Sequence, residues 1–336
     1  MTKTAEIGTG GIIMYQGKVD LHLHLDGSLS ESVITELLAR DGRTMPLEKI
    51  RDSIRVPDHC TSLVEYLKRF ELPTQVLQTE YAMERAAYDL VERLAKLGLI
   101  YAEIRFAPQL HTRRGLTQEK VLQSTIRGVR QAQADFPTIR AGLLLCSMIG
   151  GEGNAETVAL AKKYIGDGVV GADLAGAEGT VPIETYYDLF RDLQREGVPY
   201  TIHAGECGDP ENVRKAIELG ARRVGHGCGA IKSEPVMELL VRTQTVVEAC
   251  VVSNLQTKAV LNAKDHPIRP FFDRGIAVTV NTDNMSCSDT TLAREHAVIA
   301  EAMGFTDAEF IRMDENAING AFLPEEDKKE LLKKLA

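Results

Sequence analysis

The 336-residue chain is 44% hydrophobic and carries a formal net charge of -9 at pH 7, enough apolar material for one large domain of barrel size. The negative balance excludes a phosphate-binding surface of clustered Lys and Arg, and with it nucleic acid as the main partner. No run approaches a membrane span, Ile12 to Tyr15 is too short for a signal-peptide core, and the six cysteines (60, 146, 207, 228, 250, 287) contain no Cys-x-x-Cys pair, so reduced thiols in a cytoplasmic protein are expected.

In chain order, apolar β-branched runs predict strands at 19–25, 99–107, 139–148, 169–176, 199–205, 222–227, 245–252 and 276–283. Helical periodicity predicts helices between them at 32–40, 75–97, 118–134, 155–164, 184–196, 212–219, 234–241 and 267–274. Strands alternating with helices in this way predict an α/β fold, a (β/α)8 TIM barrel. Extra helices are inserted after strand 1, in the long connection from Asp26 to Gly98, and follow strand 8 from Thr291 to Met303 and in the Lys/Glu-rich end. The amphipathic piece 63–70 reads either as a lid over a site or as packing on the barrel's edge. No linker or low-complexity segment interrupts the pattern, so residues 1–336 form one domain, with 1–17 flexible or peripheral.

In such a barrel the functional residues lie at the C-terminal strand ends. His22 and His24 sit two apart in VDLHLHLDGS, so an extended strand points both to one face. His203 in YTIHAGE, His226 in RVGHG and Asp283 in VTVNTD each follow an apolar run and precede a loop. These side chains suit a borderline divalent ion, zinc before magnesium, with iron, cobalt or manganese as substitutes. Taken singly, each histidine could equally be a core residue satisfied by hydrogen bonds. His59, His111, His266 and His296 have no partner at ligand spacing and read as surface or structural residues. Glu206 follows His203 by three residues and reads as a proton shuttle, or alternatively as a loop carboxylate facing water. A metal with a neighbouring acid points to hydrolytic chemistry.

The motifs HLHLDGS, DLAGAE, HAGE, GHG, SNLQT and NTD, in this order over nearly the whole chain, resemble the adenosine deaminase family of metal-dependent aminohydrolases. The resemblance implies the same barrel, with zinc held by His22, His24, His203 and Asp283. It implies that His226, with Asp283, orients the attacking water rather than joining the ligands, and that Glu206 protonates ring nitrogen 1 of the purine. Adenosine, and 2'-deoxyadenosine, would then become inosine with release of ammonia in purine salvage. His24, Asp26, Gly176 and Asn284 match the substrate contacts, with the Gly176 N–H meeting ring nitrogen 3 and Asp26 meeting the 5'-hydroxyl. Relatives preferring free adenine carry Glu at the position of Asp26. Two departures stand out: Asn284 replaces the family's second Asp, and Ala177 replaces the Asp of Gly-Asp-Glu while Glu178 remains. An amide always carries N–H donors, so Asn284 could serve purine nitrogen 7 or mark another 6-aminopurine such as adenine or aminodeoxyfutalosine. A catalytically silent relative is the remaining alternative.

Overall fold

The predicted strand runs become eight parallel strands: β1 Lys18–His24, β2 Leu99–Phe106, β3 Arg140–Met148, β4 Val169–Ala175, β5 Thr201–Ala204, β6 Arg223–His226, β7 Val246–Ala249 and β8 Val278–Val280. The structure is a computed structural model and describes residues 18–335; the expectation for residues 1–17 lies outside the described residues. Hydrogen bonding groups the strands as β1-β2-β3-β4 and β5-β6-β7-β8. Parallel bridges at Ala172↔Tyr200 and Leu23↔Asp283 join the two sheets into a (β/α)8 barrel.

The second closure places the site. Asp283 N–H donates to the His22 carbonyl at 2.8 Å, and His24 N–H donates to the Asp283 carbonyl at 2.7 Å. Residues 261 and 259 positions apart in sequence (283 − 22 and 283 − 24) are therefore locked side by side by backbone pairing.

Helices alternate with the strands as expected, though some bounds differ. The helix expected over 75–97 is two, Glu71–Val76 and Glu80–Lys96, because Thr79 caps the second by accepting from Ala82 N–H at 3.2 Å. The extra helices expected after strand 1 and after strand 8 include two whose bounds the periodicity did not mark, Leu47–Ile54 and Asp307–Gly320. The latter begins with a capping box between Thr306 and Glu309, a signal present in the sequence. The seventh strand ends at Ala249 rather than 252, and the SNLQ of SNLQT lies on a helix, Val251–Gln256, with Thr257 at its C-cap.

Beneath the C-terminal mouth the barrel interior is ionic. Glu103, Arg105, Asp173, Arg223 and Glu248 are all fully buried. Arg223 bonds Glu103 and Glu248 at 2.5 Å each, while Arg105 bonds Glu248 at 2.9 Å and Asp173 at 3.0 Å. From below, the Phe322 ring covers the Arg223 guanidinium at 3.6 Å. Buried ion pairs contribute little net stability, but removing one partner costs about 3–5 kcal/mol. The layer thus fixes its members' positions, and two of them hold histidines of the site.

Candidate active site

His22 and His203 are oriented from behind. His22 Nδ1 lies 2.8 Å from Glu248 Oε2, and His203 Nδ1 lies 3.2 Å from Asp173 Oδ1. Burial alone would raise both carboxyl pKa values, but His203 beside Asp173 and the Arg105 guanidinium beside both hold them well below the usual carboxylate range. As fixed acceptors they place the imidazole protons on Nδ1, which leaves the Nε2 lone pairs of His22 and His203 aimed at the barrel axis.

Those lone pairs meet other acceptors. His22 Nε2 is 3.4 Å and His24 Nε2 is 3.3 Å from Asp283 Oδ1, and His24 Nε2 is 3.3 Å from His203 Nε2. His22 Nε2 is buried with no hydrogen-bond partner. Neutral lone pairs crowded around a carboxylate need positive charge between them. The spacing also suits a shared cation: ligands bonded at about 2.0–2.1 Å in a tetrahedral shell lie about 3.3 Å apart. The donor set of imidazoles and one carboxylate therefore fits a borderline divalent metal. Burial, outweighing the pull of Asp283, pushes the His24 pKa well down, which keeps this imidazole neutral and able to ligate. Burial would raise the Asp283 pKa, but the imidazoles crowded around the carboxyl hold it well below the usual carboxylate range, so it stays ionised.

Backbone strain accompanies this convergence. His226 and Asp283 have φ of +64° and +56°, a left-handed conformation that costs a non-glycine residue about 1 kcal/mol or more. His226 ends β6 and Asp283 lies three residues beyond β8, in the bridge to Leu23, and both line the cavity at the mouth.

Glu206 follows β5 on a loop clamped by a second carboxylate. Glu178 accepts from Gly205 N–H at 2.6 Å, Cys207 N–H at 2.8 Å and Asn212 Nδ2 at 2.8 Å, so the backbone on both sides of Glu206 is tied to one anchor. Burial first, then the negative charge of Asp283, pushes the Glu206 pKa up to about 8. Its Oε2 lies 3.8 Å from His226 Nε2. Glu178→Gln puts an amide donor against those N–H groups; we expect turnover to fall about 10-fold with metal content unchanged, the effect of losing roughly 1.4 kcal/mol of positioning. Steady-state kcat with metal analysis reads this directly, and an unaltered kcat would show the clamp to be idle.

A cavity of about 350 Å³ opens onto these groups, with His24, Asp26, Gly176, Glu206, His226, Asp283 and Asn284 on its walls. Its size and few convergent polar groups suit a small molecule. Leu63, Tyr66, Leu67 and Phe70 line it, so the inserted 63–70 piece forms part of the mouth, pinned to the loop after β8 by Tyr66 OH and Ser288 Oγ at 2.7 Å. Asp26 is buried, and burial lifts its pKa to about 6. Gly176 has φ of +118°, a conformation that excludes side chains by itself. The Asn284 Oδ1 is buried without a hydrogen-bond partner and rests on Gly27, where a Cβ would come within 1.8 Å of it.

Every residue singled out in the sequence as ligand, acid or substrate contact is thus gathered at one barrel end. Of the histidines set aside, His59 is exposed, while His111, His266 and His296 are buried. Sequence reading missed Arg105, Asp173 and Glu248, the groups behind the histidines. Their signal was available: each is a charge standing in an otherwise apolar strand, where it must be paired.

The profile of the family described as Adenosine deaminase matches residues 17–336. The chain is 44% identical over 331 residues to an adenosine deaminase of Haemophilus ducreyi, covering 96% of each. Among solved structures it is similar to an adenine deaminase from Arthrobacter aurescens, with a TM-score of 0.86 at 25% identity over 95% of this chain and 98% of that one. It is also similar to the N6-methyl-AMP deaminase of Arabidopsis thaliana, with a TM-score of 0.84 at 25% identity over 96% of both.

Proposed function

The chain belongs to the adenosine deaminase family, and from that premise we propose that it hydrolyses adenosine, and 2'-deoxyadenosine, to inosine and ammonia. The metal would be zinc, held by His22, His24, His203 and Asp283 in a single catalytic domain. When bound there, such an ion supplies Lewis acidity that brings the pKa of a coordinated water down towards 7.

The protein's own groups do the rest. Glu206, kept protonated by burial, donates to ring nitrogen 1, which breaks the aromaticity of the pyrimidine ring and makes carbon 6 electrophilic. His226 and the Asp283 carboxylate orient the water on the face of that carbon. The Gly176 N–H is offered to nitrogen 3, Asn284 to nitrogen 7 and Asp26 to the 5'-hydroxyl, while His24 borders the ring. Leu63, Tyr66, Leu67 and Phe70 give the mouth an apolar wall, which limits the water beside these contacts and so strengthens them. Support for this reading rests above all on one observation: Glu206 is buried beside the imidazole cluster and shares a cavity with it.

Asn284 favours a second reading, a related 6-aminopurine such as adenine or aminodeoxyfutalosine as substrate. Ammonia release from adenosine, 2'-deoxyadenosine, adenine and aminodeoxyfutalosine decides between them, and adenosine is expected to be fastest. In the same panel Asp26→Glu should raise the KM for adenosine and leave adenine nearly unaffected, because the longer acid intrudes where the ribose lies. An unchanged ratio would remove Asp26 from ribose recognition. Among the described residues no helix is long and apolar enough to cross a membrane; we place the reaction in the cytoplasm, in purine salvage, without a macromolecular partner.

A further inference from the structure

Behind His226 runs a buried chain of hydrogen bonds whose polarity is fixed at its far end. The backbone N–H of Ile268 can only donate, and it donates to His266 Nδ1 at 3.2 Å. His266 is buried, and burial pushes its pKa down to about 3, so it holds a single proton, on Nε2. That nitrogen lies 3.1 Å from Asn254 Oδ1. The Cys228 thiol, kept protonated by burial, donates to the same oxygen at 3.3 Å. Two independent donors thus set the orientation of the Asn254 amide, and its Nδ2 faces His226 Nδ1 at 2.9 Å. An amide nitrogen donates and does not accept, so His226 Nδ1 is bare and its proton sits on Nε2.

We propose that Asn254 and His266 are positioning residues that lock His226 with its proton on Nε2, so that it faces the reacting water as a hydrogen-bond donor and stays out of the metal's ligand set. The contrast with its neighbours carries the argument. His22 and His203 are backed by carboxylates, which leave their Nε2 atoms as lone pairs. His226 is backed by an amide and has the opposite tautomer, although its ring lies 4.9 Å from that of His22 and 5.2 Å from that of His203. By distance alone His22, His203 and His226 form a possible metal triad; tautomer, not distance, separates the third histidine from the ligands. The SNLQT motif thereby gains a role, and so does His266. The consequence for the reaction rests on the deaminase reading above, whereas the tautomer assignment stands apart from it.

The test is the nearly isosteric Asn254→Asp in the zinc-loaded full-length protein. A carboxylate only accepts, so the His226 proton must move to Nδ1, as in His22 and His203. Ring 15N–1H spectra of the eight histidines, with His226 identified by its loss in His226→Gln, read this without substrate. We expect Nε2–H in the wild type and Nδ1–H in Asn254→Asp. In the same variant kcat for adenosine should fall about 100-fold or more, the scale seen when a catalytic imidazole holds the wrong tautomer, with a smaller change in KM. If Asn254→Asp does not fold, Asn254→Ser, whose hydroxyl can donate or accept, should show both His226 tautomers and a reduced kcat. A wild-type Nδ1–H, or an Nε2–H that survives in Asn254→Asp or remains the sole form in Asn254→Ser, would overturn the proposal. Failure of the wild type to deaminate adenosine would instead refute the substrate reading and leave the spectra to judge the tautomer.

Discussion

Replacing Glu206 by Gln is expected to lower adenosine turnover by at least about 100-fold while bound metal remains at the wild-type level. Gln keeps the shape and most of the hydrogen bonding of the side chain but has no acidic proton to deliver. The acid form is the active one, so its contribution is full at pH values below the Glu206 pKa and is lost as pH rises through it. In the metal-free site burial and Asp283 set that pKa at about 8; a bound cation, by favouring the carboxylate, draws it back towards neutrality. The wild-type profile of kcat against pH should therefore carry an alkaline limb assigned to Glu206, and the residual activity of Glu206→Gln should lack it. Turnover near wild type, or an alkaline limb that survives in the variant, would remove Glu206 as the proton donor.

His24→Ala should behave differently: metal and activity disappear together. The substitution removes one of four proposed ligands and leaves His203 Nε2 and Asp283 Oδ1, each 3.3 Å from His24 Nε2 in the native site, facing a gap. Changes to groups behind a ligand typically weaken metal affinity 10–100-fold, so loss of a ligand should cost more than about 100-fold. The pair of variants separates two failures. Glu206→Gln is a loaded but slow protein, whereas His24→Ala is an unloaded one whose activity returns, at best partially, only at high added metal. Retention of a full complement of metal by His24→Ala would exclude His24 from the ligands.

Much of this was legible in the sequence because a barrel strand presents its side chains by simple alternation. His22 and His24 are two apart on β1, and both face the site. His203, His226 and Asp283 each end an apolar run, so their place at the mouth follows from the barrel's polarity. What alternation does not convey is partnership across the barrel. Arg105, Asp173 and Glu248 are visible as odd charges in apolar strands, yet only closure of the sheet shows that one guanidinium serves two carboxylates and these serve two histidines. The direction of hydrogen bonds is more hidden still. Asn254 lies in a segment whose apolar start reads as strand but folds as helix, and His266 has no neighbour at ligand spacing; the link between them and His226 exists only in three dimensions. The break at Thr79 and the helix Asp307–Gly320 are of another kind, since their caps were written in the sequence as Thr79 and as Thr306 with Glu309.

Imidazoles and a carboxylate from distant segments would hold one cation on which hydrolysis depends. The direct measurement is to strip the wild-type protein with a chelator, titrate zinc back, and follow ammonia release from adenosine against metal bound per chain. Stripping should abolish activity, and activity should rise linearly with added zinc to saturation at one equivalent. Full activity in the stripped protein, or stoichiometric metal binding that restores none, would contradict it.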